Sequence, residues 1–351
     1  MRTLIQTPLA TFAVAGAIGF APAQDDEPAP PAEVVDPIVQ LHAAIAGKVQ
    51  QTEIDLYQKA ALSVATLERT TPEGTEVGCG FFIDDEGTFA TVLATAGDTL
   101  QMKLTYGGRE FLPQLLTMDP YTRLAVMKVE GVRPPGLEIS PSRGLGVGDF
   151  LIAVAETPEE GNRCTIGRLA GREKDFGGVP LAATLMRLNL KASQSCFGAP
   201  LVNAEGKVAG VVLLGMGEHD GVSYALPSEL IDKVRRDYAK HGKVQPSWLG
   251  IGLAQGTTTP SIVSLSDDSP AKLAGLKPGD VIRSIGGREI QEYQDVVDAC
   301  YYLTAGEPVV VEVMRGLGDV SVKVVPSVRE EREKAPAPEA DKPDPGDSPS
   351  S

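Results

Sequence analysis

Histidine is scarce in this chain: three among 351 residues, His42, His219 and His241. Imidazole is the commonest proton carrier near neutral pH and the commonest metal ligand, so its scarcity narrows the chemistry at once. The three lie far apart, and the four cysteines, Cys79, Cys164, Cys196 and Cys300, match no zinc-ligand spacing. No metal and no cofactor is indicated. Four cysteines are also few for a disulfide framework in a chain this long, and the sequence leaves a Cys164–Cys196 bridge open. Positive charge is short as well: Lys plus Arg number 32 against 47 Asp plus Glu, a net charge of −15. No long run of Lys or Arg offers the concentrated basic face that phosphate recognition requires, which argues against nucleic acid or an anionic membrane as partner. The simpler reading is a solvated acidic surface on an exported protein.

Long apolar runs are lacking too. Residues 9–20 are mostly apolar but fall short of the roughly 20 residues of a membrane span. Arg2 precedes the run and Ala21-Pro22-Ala23 follows it, which is the layout of a secretory signal peptide, residues 1–23, cleaved near Ala23. An uncleaved anchor is the alternative. No cysteine stands at the cleavage point, so a lipid anchor is not indicated. The mature protein is expected to be periplasmic or secreted, with no stable membrane span after cleavage.

What is present falls into segments. Residues 24–37 are rich in proline and acid and read as a disordered linker. Helical spacing follows from residue 38, turning strand-like at LSVATLE. Residues 78–240 hold short apolar runs such as GCGFFID, TFATVLA, FLIAVAE and VAGVVLL, broken by Gly, Asp and Pro, as in a barrel or sandwich. SELIDKVRRDYAKHG is a helix with Ser228 as its expected N-cap and Gly242 as its stop. A second module runs from Trp248 to about Val328, with a helix near 293–303. Residues 329–351 form a Pro-rich acidic tail.

Five strings then fall in a familiar order: GCGFFIDDEGTFAT, MDPYTRLAVMKVE, GDFLIAVAE, CFGAPLVNAEGKVAG and GVSYALPSELI. Together they resemble the HtrA/Deg family of trypsin-like serine proteases over roughly residues 55–326. The resemblance implies a mainly β fold, a chymotrypsin/trypsin-like double β-barrel over residues 38–242 followed by an α+β PDZ domain over 247–328. It also says where a catalytic triad would stand, and the residues there do not fit the chemistry. The histidine position holds Ala94, the aspartate position Arg123, and the serine position Phe197. Serine attack needs a base to take the proton and a carboxylate to orient that base. The oxyanion-hole donors would be the N–H groups of Phe197 and Ser195, where Ser195-Cys196 replaces the expected Gly-Asn. Cys196 is the nearest substitute nucleophile and still requires a base or cation to form thiolate. A Lys191 dyad with Ser193 or Ser195 is a further option.

WLGIGL and DDSPAKLAGLKPGDVIRSIGGREI resemble a PDZ domain. There Trp248, Leu249, Gly250 and Ile251 would form the loop that holds a peptide's terminal carboxylate, with the peptide adding a strand beside the helix. Gly275 and Gly279 suit turns and Asp280 suits capping of local N–H groups, while Trp248, Tyr301 and Tyr302 line either the groove or the core. Three functions are consistent with this sequence. The first is a non-catalytic pseudoprotease that scaffolds protein or peptide C-termini through its PDZ domain. The second is a working endopeptidase of protein quality control, serine-type or Cys196-dependent, with an unrecognised site. The third is a chaperone-like or regulatory subunit that associates with active relatives or forms a homo-oligomer.

Overall fold

A computed structural model describes residues 37–71, 74–93, 102–157, 161–176, 179–193, 196–213, 221–254 and 259–328. The expected signal peptide, nearly all of the linker and the tail lie outside these residues, as do Ala94, Ser195 and His219. Helix α1 (Pro37–Ala61) opens on a proline, which lacks the N–H that a first helical residue cannot pair anyway. At its end Leu56, Tyr57, Ala60 and Ala61 pack on the main hydrophobic core.

Seven antiparallel strands follow: β1 (Val64–Thr71), β2 (Gly74–Phe82), β3 (Thr88–Val92), β4 (Met102–Tyr106), β5 (Arg109–Phe111), β6 (Gln114–Met118) and β7 (Leu124–Lys128). They form one sheet in the order β5-β4-β1-β2-β3-β7-β6. The two edge strands are consecutive in the chain and joined by Leu112-Pro113, where proline offers no N–H to a ladder. The next six are β8 (Phe150–Thr157), β9 (Gly161–Phe176), β10 (Val179–Leu188), β11 (Pro200–Asn203), β12 (Val208–Leu213) and β13 (Ser223–Pro227). They close into a barrel in the order β10-β13-β12-β11-β8-β9. β11 is buried at every residue and β8 and β12 at nearly every one, because each packs on the barrel interior with one face and on neighbouring elements with the other. One core runs continuously from Phe81, Ala90 and Val126 of the first sheet to Ile152, Met186 and Val211 of the barrel.

α2 (Glu229–His241) then crosses to the last module and ends, as expected, on Gly242 at φ +71°. The expected cap does not form. Ser228 has helical dihedrals, and its hydroxyl donates to the Ser140 carbonyl at 2.6 Å instead, a tertiary acceptor outcompeting the local N–H groups.

The last module holds β14 (Ser247–Trp248), β15 (Ile251–Leu253), β16 (Ile262–Leu265), α3 (Pro270–Leu273), β17 (Val281–Ile285), β18 (Arg288–Glu289), α4 (Tyr293–Tyr301), β19 (Val309–Arg315), β20 (Gly318–Val324) and β21 (Ser327–Val328). Its own core gathers Ile262, Ile282, Ile285, Val296, Ala299 and Val311. Gly275 and Gly279 take positive φ, and Asp280 accepts the Lys277 N–H at 2.9 Å, both as the sequence suggests. No helix among the described residues is long and apolar enough to cross a membrane.

Candidate functional site

In the described part of the turn between β10 and β11, the Ser223 hydroxyl accepts from Ala192 N–H at 2.9 Å and donates to Leu190 O at 2.8 Å, and main-chain bonds hold the rest. Cys79 N–H on β2 donates to the Phe197 carbonyl at 2.9 Å, and Gly198 N–H donates to the Val212 carbonyl at 3.0 Å. Within the turn, Cys196 N–H reaches Ser193 O at 2.9 Å and Ala199 N–H reaches Cys196 O at 3.0 Å. Gly198 sits at φ +86°, and a methyl group there would lie 2.1 Å from the Cys79 carbonyl oxygen and 2.4 Å from Thr91 Oγ1. Only glycine satisfies both the dihedral and the space. The Phe197 side chain is half-buried and packs against the main core.

The candidate thiol has no base beside it among the described residues. Cys196 is 2% exposed, and its Sγ lies 3.5 Å from Ser193 Oγ, which is itself 3.4 Å from an Arg163 guanidinium nitrogen. Cys79 is fully buried, and burial, with the nearby Cys196 thiol second, pushes its own thiol up, away from thiolate. All four cysteines are free, so the bridge that the sequence left open between Cys164 and Cys196 is not formed. His241 stands at the far end of α2, its Nε2 3.1 Å from the Ala305 carbonyl oxygen. Lys191 is exposed in the loop after β10.

Arg123 closes a tight turn that begins at Asp119. Asp119 N–H donates to Leu124 O at 2.8 Å and Arg123 N–H to Asp119 O at 2.9 Å, while Leu93 N–H donates to Arg123 O at 3.0 Å. This geometry puts Arg123 at φ +64°, one of two non-glycine residues at positive φ among those described. Aspartate and asparagine tolerate that left-handed region better than other side chains, so an aspartate would fit the backbone here and arginine is strained in it. The half-buried Arg123 guanidinium makes no ion pair or hydrogen bond among the described residues. Asp119 is fully buried. Its carboxylate accepts from Tyr121 N–H at 3.0 Å, from the Thr122 hydroxyl at 2.6 Å, and from the Tyr301 hydroxyl of α4.

The second candidate is the loop at Trp248, Leu249, Gly250 and Ile251. Ala271 N–H holds the Leu249 carbonyl at 3.0 Å, and Ser266 N–H holds the Gly250 carbonyl at 3.0 Å. In a trans peptide the C=O and N–H point in opposite directions, so fixing these two carbonyls inward turns the Gly250 and Ile251 N–H groups outward. Gly250 sits at φ +77°, where an added methyl would lie 2.2 Å from Ser269 Cβ. Among the described residues β15 pairs only with β16, so no described strand occupies its other edge, where a peptide strand could add. Ile251, Leu253 and Cys300 are half-buried against the module's core and supply an apolar lining. Burial pushes the Cys300 thiol up to about 12, so it stays neutral there.

Of the two tyrosines, Tyr302 takes the core alternative, and Tyr301 packs against the same core. Tyr302 is buried with the Arg288 guanidinium 3.4 Å from its ring centroid, and burial raises its hydroxyl well above the ordinary range. Tyr301 leaves the groove and reaches across to Asp119. The partnership of Asp119 and Tyr301, 182 residues apart, is what sequence reasoning missed. The Asp-Pro of MDPYTR marks a turn, but nothing in the string says that a distant hydroxyl caps it.

Residues 78–211 match the family of trypsin-like peptidase domains, and residues 247–325 match the PDZ family. The putative serine protease HhoB of Synechocystis is 28% identical over 271 residues, which is 70% of this chain and 65% of that protein. A probable periplasmic DegP-like serine endoprotease of Bartonella henselae is 26% identical over 77% of this chain and 57% of its own length. This chain thus spans less than two thirds of these relatives. Among solved structures, the HtrA-type protease AlgW with a tripeptide superposes with a TM-score of 0.61 at 23% identity, over 79% of this chain and 97% of that one. The serine endoprotease of Yersinia pestis gives 0.54 at 22%, over 79% and 98%. These last two likenesses speak to fold.

Proposed function

Starting from a chain that belongs to the HtrA-type family, a trypsin-like peptidase domain followed by a PDZ domain, we propose that it acts as an exported, non-catalytic member that binds protein or peptide C-termini. The observation that carries the reading is the state of the nucleophile turn. The described part of its backbone is held by main-chain bonds and its glycine is indispensable, yet Phe197 stands where the serine would be. Arg123 at the aspartate position, strained and without a side-chain partner among the described residues, and Ala94 at the histidine position support the same reading. Without a base, neither Cys196 nor a neighbouring serine is activated for attack on an amide. The peptidase body then serves as scaffold and the PDZ loop as the binding element, its N–H groups facing outward beside an open strand edge. The signal-like N-terminus and the periplasmic DegP-like relatives support export to the periplasm.

The reading is tested on the mature protein in two assays. In the first, casein digestion is measured beside a Cys196→Ala variant. No turnover by either is expected, and turnover lost in the variant would establish a cysteine peptidase instead. In the second, a library of decapeptides with free C-terminal carboxylates is screened. Ligands that compete with one another are expected, and Gly250→Glu or amidation of the peptide should abolish binding. Binding that survives amidation refutes the groove.

A further inference from the structure

α4 is nine residues long and uses three faces. Val296 and Ala299, three apart, are buried in the PDZ core. Tyr293, Val297 and Cys300, at i, i+4 and i+7, are half-buried on the face left for a ligand. The third face carries Asp295, Asp298 and Tyr301, and every one of them is bonded to the peptidase body. Lys174 on β9 pairs with Asp295 at 2.6 Å and with Glu292, just before the helix, at 2.7 Å. The backbone N–H of Thr184 on β10 donates to Asp298 Oδ1 at 2.6 Å, while Arg288 pairs with the other oxygen at 3.3 Å. Tyr301 donates to Asp119 in the turn between β6 and β7.

The turn after the helix is held as well. Arg236 donates to the Tyr302 carbonyl at 3.3 Å. The Thr304 hydroxyl donates at 2.9 Å to Asp237, a fully buried carboxylate whose other oxygen takes the buried Lys233 ammonium and the Gln245 N–H. Buried charges persist only when paired and hydrogen-bonded in this way, and removing one partner costs far more than an exposed pair would.

We propose that the peptidase body is a working part of the peptide groove: through Lys174, Thr184 and Asp119, and through Asp237 of α2, it holds α4 at the distance from β15 that a bound strand requires. This rests on the peptide-binding reading above and gives the barrels a role that needs no nucleophile. Lys174 and Asp119 are positioning residues, since they touch the helix and not the ligand. A groove whose wall is already fixed loses less freedom on binding, so the clasp raises affinity by pre-organisation.

The test uses the full mature chain, with amide hydrogen exchange of α4 as the first readout and affinity for the tightest library decapeptide, fluorescein-labelled, as the second. Lys174→Ala combined with Tyr301→Phe should speed exchange across residues 293–301 about tenfold or more and weaken the peptide by a similar factor. Exchange in β11 and β12 should stay unchanged. Lys174→Arg keeps the cation and should retain protection, which a loss of packing volume would not predict. Unchanged α4 exchange in the double variant overturns the proposal, as does faster exchange with unaltered affinity. If the unaltered protein binds no library peptide, the binding reading falls and this use of the groove with it, while α4 exchange still decides whether the barrels hold the helix.

Discussion

Replacing Arg123 by asparagine should make the protein more stable. The residue sits at φ +64°, held there by the bonds from its own N–H to Asp119 O and from Leu93 N–H to its carbonyl. All of these involve main chain only, so asparagine, alanine and glycine each keep them. A left-handed conformation costs an ordinary side chain about 1–2 kcal/mol, and asparagine avoids part of that by bonding locally. The guanidinium has no partner among the described residues, so little is lost with it. The expected gain for Arg123→Asn over Arg123→Ala is about 0.5–1 kcal/mol, because both remove the charge but alanine keeps the dihedral strain. Arg123→Gly should fall near asparagine: it relieves the dihedral but frees the unfolded chain. In a chain of this size the gain shifts Tm by roughly 1–4 °C, within reach of calorimetry or of a urea midpoint at constant slope. If Arg123→Asn and Arg123→Gly are no more stable than Arg123→Ala, the backbone is not strained there. The argument that an aspartate would fit this turn better than an arginine then fails.

Gly198→Ala should destabilise by more than about 4 kcal/mol or prevent folding, since a left-handed dihedral and a 2.1 Å approach to Cys79 O cannot both be relieved; soluble protein with a near-native urea midpoint would refute this. The PDZ module should lose stability in acid through Asp280, which Arg315 grips with Nε at 2.7 Å and Nη2 at 2.8 Å. That grip, with the Lys277 N–H assisting, holds its carboxyl below the usual range. A lowered folded value means the contribution is fully present above the unfolded pKa of about 3.9 and fades as pH falls through the folded one. Trp248, the chain's single tryptophan, offers a local fluorescence signal for urea titrations at different pH, and Asp280→Asn should flatten the acid dependence. An equal dependence in both proteins would count against the pair.

Much of the fold was legible because it is written in local chemistry. Strand runs end at Gly, Asp and Pro, and Gly242, Gly275 and Gly279 each take the positive φ that their position in the string suggests. The nucleophile turn was legible for the same reason, since Gly198 and Pro200 answer to backbone geometry whatever residue precedes them. Ser228 shows where local reading stops: the pattern marks the right helix start, but the hydroxyl serves a carbonyl 88 residues away. The clasp on α4 was not legible at all. Nothing in the string pairs Asp295 with β9 or Asp298 with β10, and Tyr301 reads as groove or core until Asp119 is seen across the interface. Buried polar contacts between modules carry no sequence period, because each partner is chosen by tertiary position. That asymmetry bears on function. A chemistry of attack depends on a few side chains that substitution removes at once, whereas a platform for a helix depends on many bonds, several of them main-chain, that survive such loss. Phe197 and Arg123 bear on the first requirement; Thr184 N–H, the carbonyls of Leu249 and Gly250, and buried Asp237 meet the second. On the function proposed above, what matters in the peptidase body is what its surface holds in place.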